Sequence, residues 1–436
     1  MLAPMVLPSP STMVFVLTIA CIASVGCSPP QDPVALRPLA LAGVNLSAPF
    51  WYGAGRTDSA TRSRDEILAE SWQAYQQRFI QSDGRVIDWE AEGRTVSEGQ
   101  AYAMLRAVLA DDPETFALTL RWAEDNLRQP PQAGGDHLWA WKWGRAADGR
   151  WHILDDNFAS DADIDAITAL IWASRRWQRP DYLDLARLKL VDLWDQSTLA
   201  LEGENRPRYL LPGPLAAFQP DPDTVYLNPS YLAPYAFRLF AQVDPERDWL
   251  ALVDSSYAVL DQVSQLSAKG LPGDWVRLNQ TTQTLEPLPA GSPLRGQYGF
   301  DAHRVWCRMT WDAVWFEEPR AKAFLADHLF FLEQLWRQDQ HIPAILSLVG
   351  EPLVDYGSTG QYAMLYRAFA QNQPALATEL YEQAIMPTYR NGLWDHPNAY
   401  YAQNLIWLGL FPPEDLPSEW FTPQEPPPPS PPERPG

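Results

Sequence analysis

The chain has 436 residues, 33 basic and 54 acidic side chains and a formal charge of −21, with 46% apolar and 12% aromatic content. That length allows one large domain or two ordinary ones. The acidic excess excludes nucleic acid and anionic membrane surfaces as partners, since both need basic patches. Twenty tryptophans exclude a self-repelling disordered polymer and require an explanation of their own.

Residues 13–26, MVFVLTIACIASVG, form an apolar run too short to span a bilayer comfortably and positioned like the core of a secretory leader. No Lys or Arg precedes Arg37, so the usual positive start is missing. The stretch Ser24-Val25-Gly26-Cys27 also resembles an imperfect lipoprotein box. Residues 1–26 therefore read either as a cleaved signal or as a lipoprotein leader that leaves a lipid anchor on Cys27. Both readings export the chain, to the periplasm or the medium, and residues 27–60 read as a linker. No later stretch is long enough for a membrane span. Removing the leader with Cys21 and Cys27 at or beside its end leaves Cys307 alone in the mature chain, which excludes an internal disulfide and a thiolate zinc cluster. The six histidines form no His-Glu-x-x-His pattern, and there is no phosphate-cradling Gly-rich loop with Lys and no Gly-x-Ser-x-Gly turn. No metal and no cofactor is expected.

From residue 61 to 412 the chain reads as one all-α domain, followed by a Pro-rich tail at 413–436. Apolar residues of period 3.6 place helices near 62–82, 98–111, 113–128, 161–177, 180–196, 229–242, 245–264, 301–316, 319–338, 357–371, 373–388 and 398–410. In the second of these, Ala101, Met104, Leu105, Val108 and Leu109 share a face. In the fourth, Ile164, Ile167 and Ile171 do so, flanked by Ala162, Ala166 and Ala169, which permit close packing. Successive helices come in pairs joined by Asp112-Pro113, Arg179-Pro180, Asp244-Pro245 and Glu318-Pro319, as suits Pro in a first helical turn. Paired helices in series predict an α/α array, a closed toroid or a solenoid, and the lack of a fixed repeat length disfavours the solenoid.

Three loop-to-helix junctions carry acids: Ser97-Glu98-Gly99-Gln100, Ser160-Asp161-Ala162-Asp163 and Phe300-Asp301-Ala302-His303-Arg304. The first two fit a capping box, and a carboxylate in a first turn is stabilised by the helix dipole without any catalytic role. Their company shifts the balance, because Trp139, Trp141, Trp143 and Trp151 lie between the first two. LWAWKW alternates with period two, which projects three indoles to one side of an extended segment. Such flat faces suit sugar rings as well as a core.

Residues 159–177, ASDADIDAITALIWASRRW, stand in order with SEGQAYAM (97–104), LWAWKW (138–143), WHILDDN (151–157), YLLPG (209–213), LNPSYLAP (227–234), GDWV (273–276), FDAHR (300–304) and YYAQNL (400–405). This series resembles glycoside hydrolase family 8, and within it the endo-β-1,4-glucanases associated with bacterial cellulose synthase. The resemblance implies an (α/α)6 barrel of about twelve helices in six inner/outer pairs, a β-1,4-glucan substrate cut internally with inversion, and association with a cellulose synthase complex. It also implies Glu98 as general acid and Asp301 as general base. Asp161 then holds the sugar at the cleavage point, with Arg304, Tyr231, Trp141 and Tyr401 as further substrate-binding residues. Phe300 departs from the Tyr that many relatives carry there. Chitosan, xylan and mixed-linkage glucan are the alternative substrates. A non-catalytic glycan-binding protein is the alternative class, disfavoured because Glu98 and Asp301 are both present. A general acid at a helix N-terminus sets a physical problem, since the dipole lowers the pKa of a group that must keep its proton. Burial and a neighbouring carboxylate are expected to outweigh it.

Overall fold

A computed structural model describes residues 62–128, 135–202 and 207–422. The leader, Cys27, the whole of the 27–60 linker and the proline run after 422 lie outside the described residues. In chain order the helices are α1 (Arg64–Phe79), α2 (Ser97–Leu109), α3 (Pro113–Asn126), α4 (Ser160–Trp177), α5 (Pro180–Ser197), α6 (Leu215–Phe218) and α7 (Pro234–Val243). They continue with α8 (Trp249–Gln265), α9 (His303–Trp315), α10 (Pro319–His328), α11 (Phe330–Asp339), α12 (Thr359–Asn372), α13 (Pro374–Leu380) and α14 (Tyr400–Leu410).

Six of them close a ring: α2 packs on α4, α4 on α7, α7 on α9, α9 on α12, α12 on α14, and α14 back on α2. Each inner helix carries one outer partner, α3 on α2, α5 on α4, α8 on α7, α10 on α9, α13 on α12 and α1 on α14. The result is an (α/α)6 barrel, as the helix pairing predicts. The two helices beyond twelve are the single turn α6 and the division of the expected 319–338 helix at Leu329.

Inner helices are buried on nearly every side, as in α2, where twelve of the thirteen residues are buried. Small residues let the ring close. Ala162, Ala166, Ala169 and Ala173 of α4 are at most 1% exposed, and Gly409 of α14 lies against the Ala363 backbone of α12. Trp72, Trp122, Trp139, Trp172, Trp249, Trp306, Trp311, Trp336, Trp394, Trp407 and Trp420 are buried in the core. Each such indole removes roughly 150–250 Å² from water, so most of the tryptophan content is core.

Local signals fixed several helix starts as expected. Pro113, Pro180 and Pro319 occupy first turns, with Asp112 and Glu318 capping α3 and α10. Pro245 does not: α8 starts at Trp249, capped by Asp248. The expected capping boxes at α2 and α4 are also absent, because the side chains are drawn into tertiary contacts. Gln100 accepts from Val86 N and donates to Gly84 O and Thr119 O, Ser160 donates to Leu211 O, and Asp163 accepts from Trp139 N. Residues 413–421, assigned to the tail by composition, pack on the barrel. Trp420 and Phe421 are buried against Trp172, and Phe421 stacks on Trp315.

Short antiparallel strands occupy connections that lead into inner helices. Thr95–Val96 pairs with Ala140–Arg145, which pairs with Trp151–Phe158. Thr224–Leu227, Val276–Asn279 and Thr284–Glu286 form a second three-stranded sheet.

A methyl added at Gly409 would meet Ala363 O at 2.5 Å. Although Gly→Ala ordinarily stabilises a helix interior by about 1 kcal/mol, G409A is expected to destabilise the protein by about 1–3 kcal/mol through overpacking, measured as a lower midpoint in denaturant unfolding.

Candidate active site

The acid-bearing junctions converge because the inner helices all present their N-terminal ends at one mouth of the barrel. Glu98 and Asp161 are the second residues of α2 and α4, Asp301 stands two residues before α9, and Arg304 is the second residue of α9. Tyr400 and Tyr401 open α14, while Tyr231 closes a 3₁₀ turn (Pro229–Tyr231) before α7. Together with Trp141, all seven residues singled out in the sequence line one cavity of about 360 Å³.

Arg304 is its centre. Nη1 donates to Asp161 Oδ2 at 2.7 Å and to Glu98 Oε2 at 3.1 Å, while Nη2 donates to Asp301 Oδ1 at 2.9 Å and to Ser230 Oγ at 2.8 Å. The guanidinium also lies 5.2 Å from the centre of the Tyr231 ring. Each carboxylate has further partners. Asp161 Oδ1 accepts from Ala162 N at 2.9 Å. Asp301 Oδ2 accepts from Asn228 Nδ2 at 3.2 Å, and the Trp275 side chain also hydrogen-bonds Asp301. Glu98 Oε1 accepts from the Tyr400 hydroxyl at 3.0 Å. Tyr401 donates instead to the backbone carbonyl of Phe300 at 2.9 Å, bracing the residue before Asp301. From below that turn, Asp274 accepts from Gly299 N at 3.1 Å and Ala302 N at 2.8 Å.

Three carboxyl groups around one guanidinium leave an excess of negative charge in a nearly dry space, and the group least compensated keeps its proton. That group is Glu98. Burial, helped by Asp161 and Asp301 and opposed by Arg304 and the Tyr400 hydrogen bond, pushes its carboxyl up to about 8. Burial also raises Asp301, but Arg304, Asn228 and Trp275 oppose the rise. Glu98 and Asp301 side chains retain 20% and 23% exposure to the cavity, whereas Asp161 and Arg304 retain 4% each. Glu98 and Asp301 are thus the more open of the three carboxyl groups, while Asp161 lines the cavity from a deeper position.

The tryptophan run divides. Trp141 lines the cavity, but Trp139 donates to Glu124 Oε1 at 2.8 Å under the Lys189 ammonium, and Trp143 packs on Trp122 and Trp151. The expected common face is lost because the strand is irregular between Ala140 and Lys142 and between Lys142 and Trp143. Tyr400, Asn228, Ser230, Asp274 and Trp275 were not singled out. All lie inside sequence motifs already noted, YYAQNL, LNPSYLAP and GDWV.

The family model of glycosyl hydrolases family 8 matches residues 55–332. The chain belongs to that family. An endoglucanase of Salmonella typhi is 30% identical over 343 residues, covering 78% of this chain and 85% of that protein. An endoglucanase of Xanthomonas axonopodis pv. citri (strain 306) is 35% identical over 240 residues, 54% of this chain, and the match spans 58% of that relative's length. Among solved structures, the endo-1,4-D-glucanase from Vibrio fischeri ES114 superposes with a TM-score of 0.66 at 27% identity, covering 78% of this chain and 93% of that one. The family match ends before α12 and α14, so Tyr400 and Tyr401 enter the site through the closure of the ring.

A carboxyl that is neutral when folded but ionised when unfolded binds more protons in the folded state, so the contribution of Glu98 to stability falls as pH rises from about 4.5 to about 8. E98Q removes that dependence. The variant is expected to match the parent in unfolding free energy near pH 4 and to exceed it near pH 9, measured by denaturant titration at both values.

Proposed function

We propose that the protein is an exported endo-β-1,4-glucanase that inverts configuration at the cleaved bond, with Glu98 as general acid and Asp301 as general base. The observation that carries this reading is the shared Arg304: it holds two partly exposed carboxyl groups, Glu98 and Asp301, on its two terminal nitrogens, with burial pushing Glu98 up to about 8. Glycoside hydrolysis needs one protonated and one ionised carboxyl group across the scissile bond, about 6.5–9.5 Å apart when water attacks directly. The guanidinium keeps the two groups apart while holding both within hydrogen-bond reach of itself.

In this mechanism Glu98 gives its proton to the glycosidic oxygen as the bond lengthens. Asp301, kept ionised by Arg304 and Asn228, takes a proton from a water that attacks the anomeric carbon from the opposite face. Asp161, anchored by Arg304 and Ala162 N, presents a fixed carboxylate to the ring at the cleavage point and favours its distortion. Trp141 offers an indole face to a neighbouring glucose, and Tyr231 and Tyr401 line the same cavity. Tyr231, whose phenol is held well above its usual pKa by burial, stays protonated and available as a donor. The open cavity at the barrel mouth suits a bond inside a chain. Export rests on the apolar run 13–26 and on Cys27, as a signal peptide or a lipid anchor, and the mass of the mature N-terminus distinguishes the two.

Soluble carboxymethylcellulose is expected to lose viscosity rapidly, with chitosan, xylan and mixed-linkage glucan cut more slowly. E98Q and D301N are each expected to lower kcat by about 10²–10⁴-fold. Proton NMR of the nascent reducing ends should show the α anomer first. Full activity in either variant, or initial β product, contradicts the assignment.

Activity of the parent enzyme should fall as pH rises through about 8, when Glu98 ionises, and fall again in acid as Asp301 takes up a proton. An activity profile flat from neutral pH to pH 10 contradicts the role of Glu98.

A further inference from the structure

One helical turn below the carboxylates, the inner helices repeat the same pairing. Asp165 and Arg308 follow Asp161 and Arg304 by four residues on α4 and α9, which puts them on the same faces, one turn deeper. Arg308 donates from both terminal nitrogens to the two oxygens of Asp165, each at 3.0 Å, and from Nη1 to the Tyr235 hydroxyl at 3.1 Å. Both side chains are buried, at 5% and 6% exposure. The layers touch: the Tyr102 hydroxyl, four residues after Glu98 on α2, lies 3.5 Å from Arg304 Nη1. Tyr102, Asp165, Tyr235, Arg304 and Arg308 surround one small space of about 30 Å³. The Nε groups of both arginines are buried without a partner among the described residues. Charges separated by so little low-dielectric material act on one another strongly.

We propose that the buried Asp165–Arg308 pair is a positioning element for the catalytic layer, cancelling its own charge so that Arg304 is the single net cation shared by Glu98, Asp161 and Asp301. This rests on the reading of Glu98 as proton donor. Bidentate pairing commits both terminal nitrogens of Arg308 to Asp165. Without Asp165, Arg308 would be a second uncompensated cation within one turn of Asp161, and Glu98 would give up its proton more readily. Without Arg308, Asp165 would be a further carboxylate competing for Arg304, and Glu98 would hold its proton more tightly. The charged and titratable groups facing the two layers are Glu98 and Tyr102 from α2, Asp161 and Asp165 from α4, and Tyr235 from α7. Arg304, Cys307 and Arg308 come from α9, Arg367 from α12, Tyr400 and Tyr401 from α14, and Tyr231, Asp274 and Asp301 from the connections, where Arg94 (paired with Asp88), Arg295 and Tyr356 also line the cavity. Of the cations among them, Arg367 is turned away, bonded to Gly409 O and Leu410 O.

The test is the pH profile of kcat/KM for the full-length enzyme on soluble glucan, in the parent, D165N, R308Q, R308K and D165N/R308Q. Asn and Gln keep a hydrogen bond to the partner while removing one charge. The alkaline limb is expected to move down by about half a pH unit or more in D165N and up in R308Q. It should stay with the parent in R308K and return toward it in D165N/R308Q. Limbs that stay fixed, or that move in the same direction in both single variants, overturn the proposal whatever the loss in rate. Should a single variant fail to fold by circular dichroism, the charge-neutral D165N/R308Q decides: a limb displaced by half a unit or more overturns the proposal, and a limb that stays supports it. A parent enzyme with no alkaline limb, or with a limb retained in E98Q, would instead refute the role of Glu98.

Discussion

Arg304 has to serve three carboxyl groups from a position that solvent barely reaches. Its two terminal nitrogens bind Glu98, Asp161 and Asp301 at 2.7–3.1 Å, and a single positive charge cannot balance three ionised acids in so dry a place. Ionised groups are buried only when paired and hydrogen-bonded. Asp161 has the shortest contact to Arg304 and a backbone N–H, and Asp301 has its own guanidinium nitrogen, an amide and an indole. Glu98 has the longest of the three contacts and a phenol, so it is the acid that keeps its proton. On the proposed assignment, the division between proton donor and proton acceptor follows from how partners are distributed around one cation, rather than from any difference between Glu and Asp.

The barrel makes that distribution available. Closing six inner helices into a ring brings six N-terminal ends to one mouth, and residues from α2, α4, α9 and α14 meet there although they lie up to about 300 positions apart in the chain. Ala and Gly at the helix contacts let the ring close, and buried indoles fill the core around it. Most of the twenty tryptophans are explained by that packing, with Trp141 the member of the LWAWKW run that reaches the cavity. The net charge of −21 has little bearing on the site, where the placement of three acids around one base sets the chemistry.

Helix positions were legible in the sequence because burial of one face imposes period 3.6, and the pairing of helices because Pro marks the first turns at residues 113, 180 and 319. The ordered motifs brought the acids and Arg304 to notice. Less legible was everything decided by tertiary contact. Ser97, Gln100, Ser160 and Asp163 have the spacing of caps, yet Gln100, Ser160 and Asp163 bond to other segments, which local spacing cannot reveal. The strand irregularity at residues 140–143 breaks a clean alternation. Tyr400 and Tyr401 are adjacent and chemically identical, but about 100° of helical rotation sends one hydroxyl to Glu98 and the other to Phe300 O. Asp274 supports the turn before α9 from a distant loop, with no helical period to mark it.

Neutron diffraction from a crystal of the protein held near neutral pD would locate the proton on which this electrostatic scheme turns. The predicted result is a deuteron on a Glu98 carboxyl oxygen, with Asp161 and Asp301 both bare and Arg304 fully protonated. A bare Glu98 beside a deuterated Asp161 or Asp301 would contradict it.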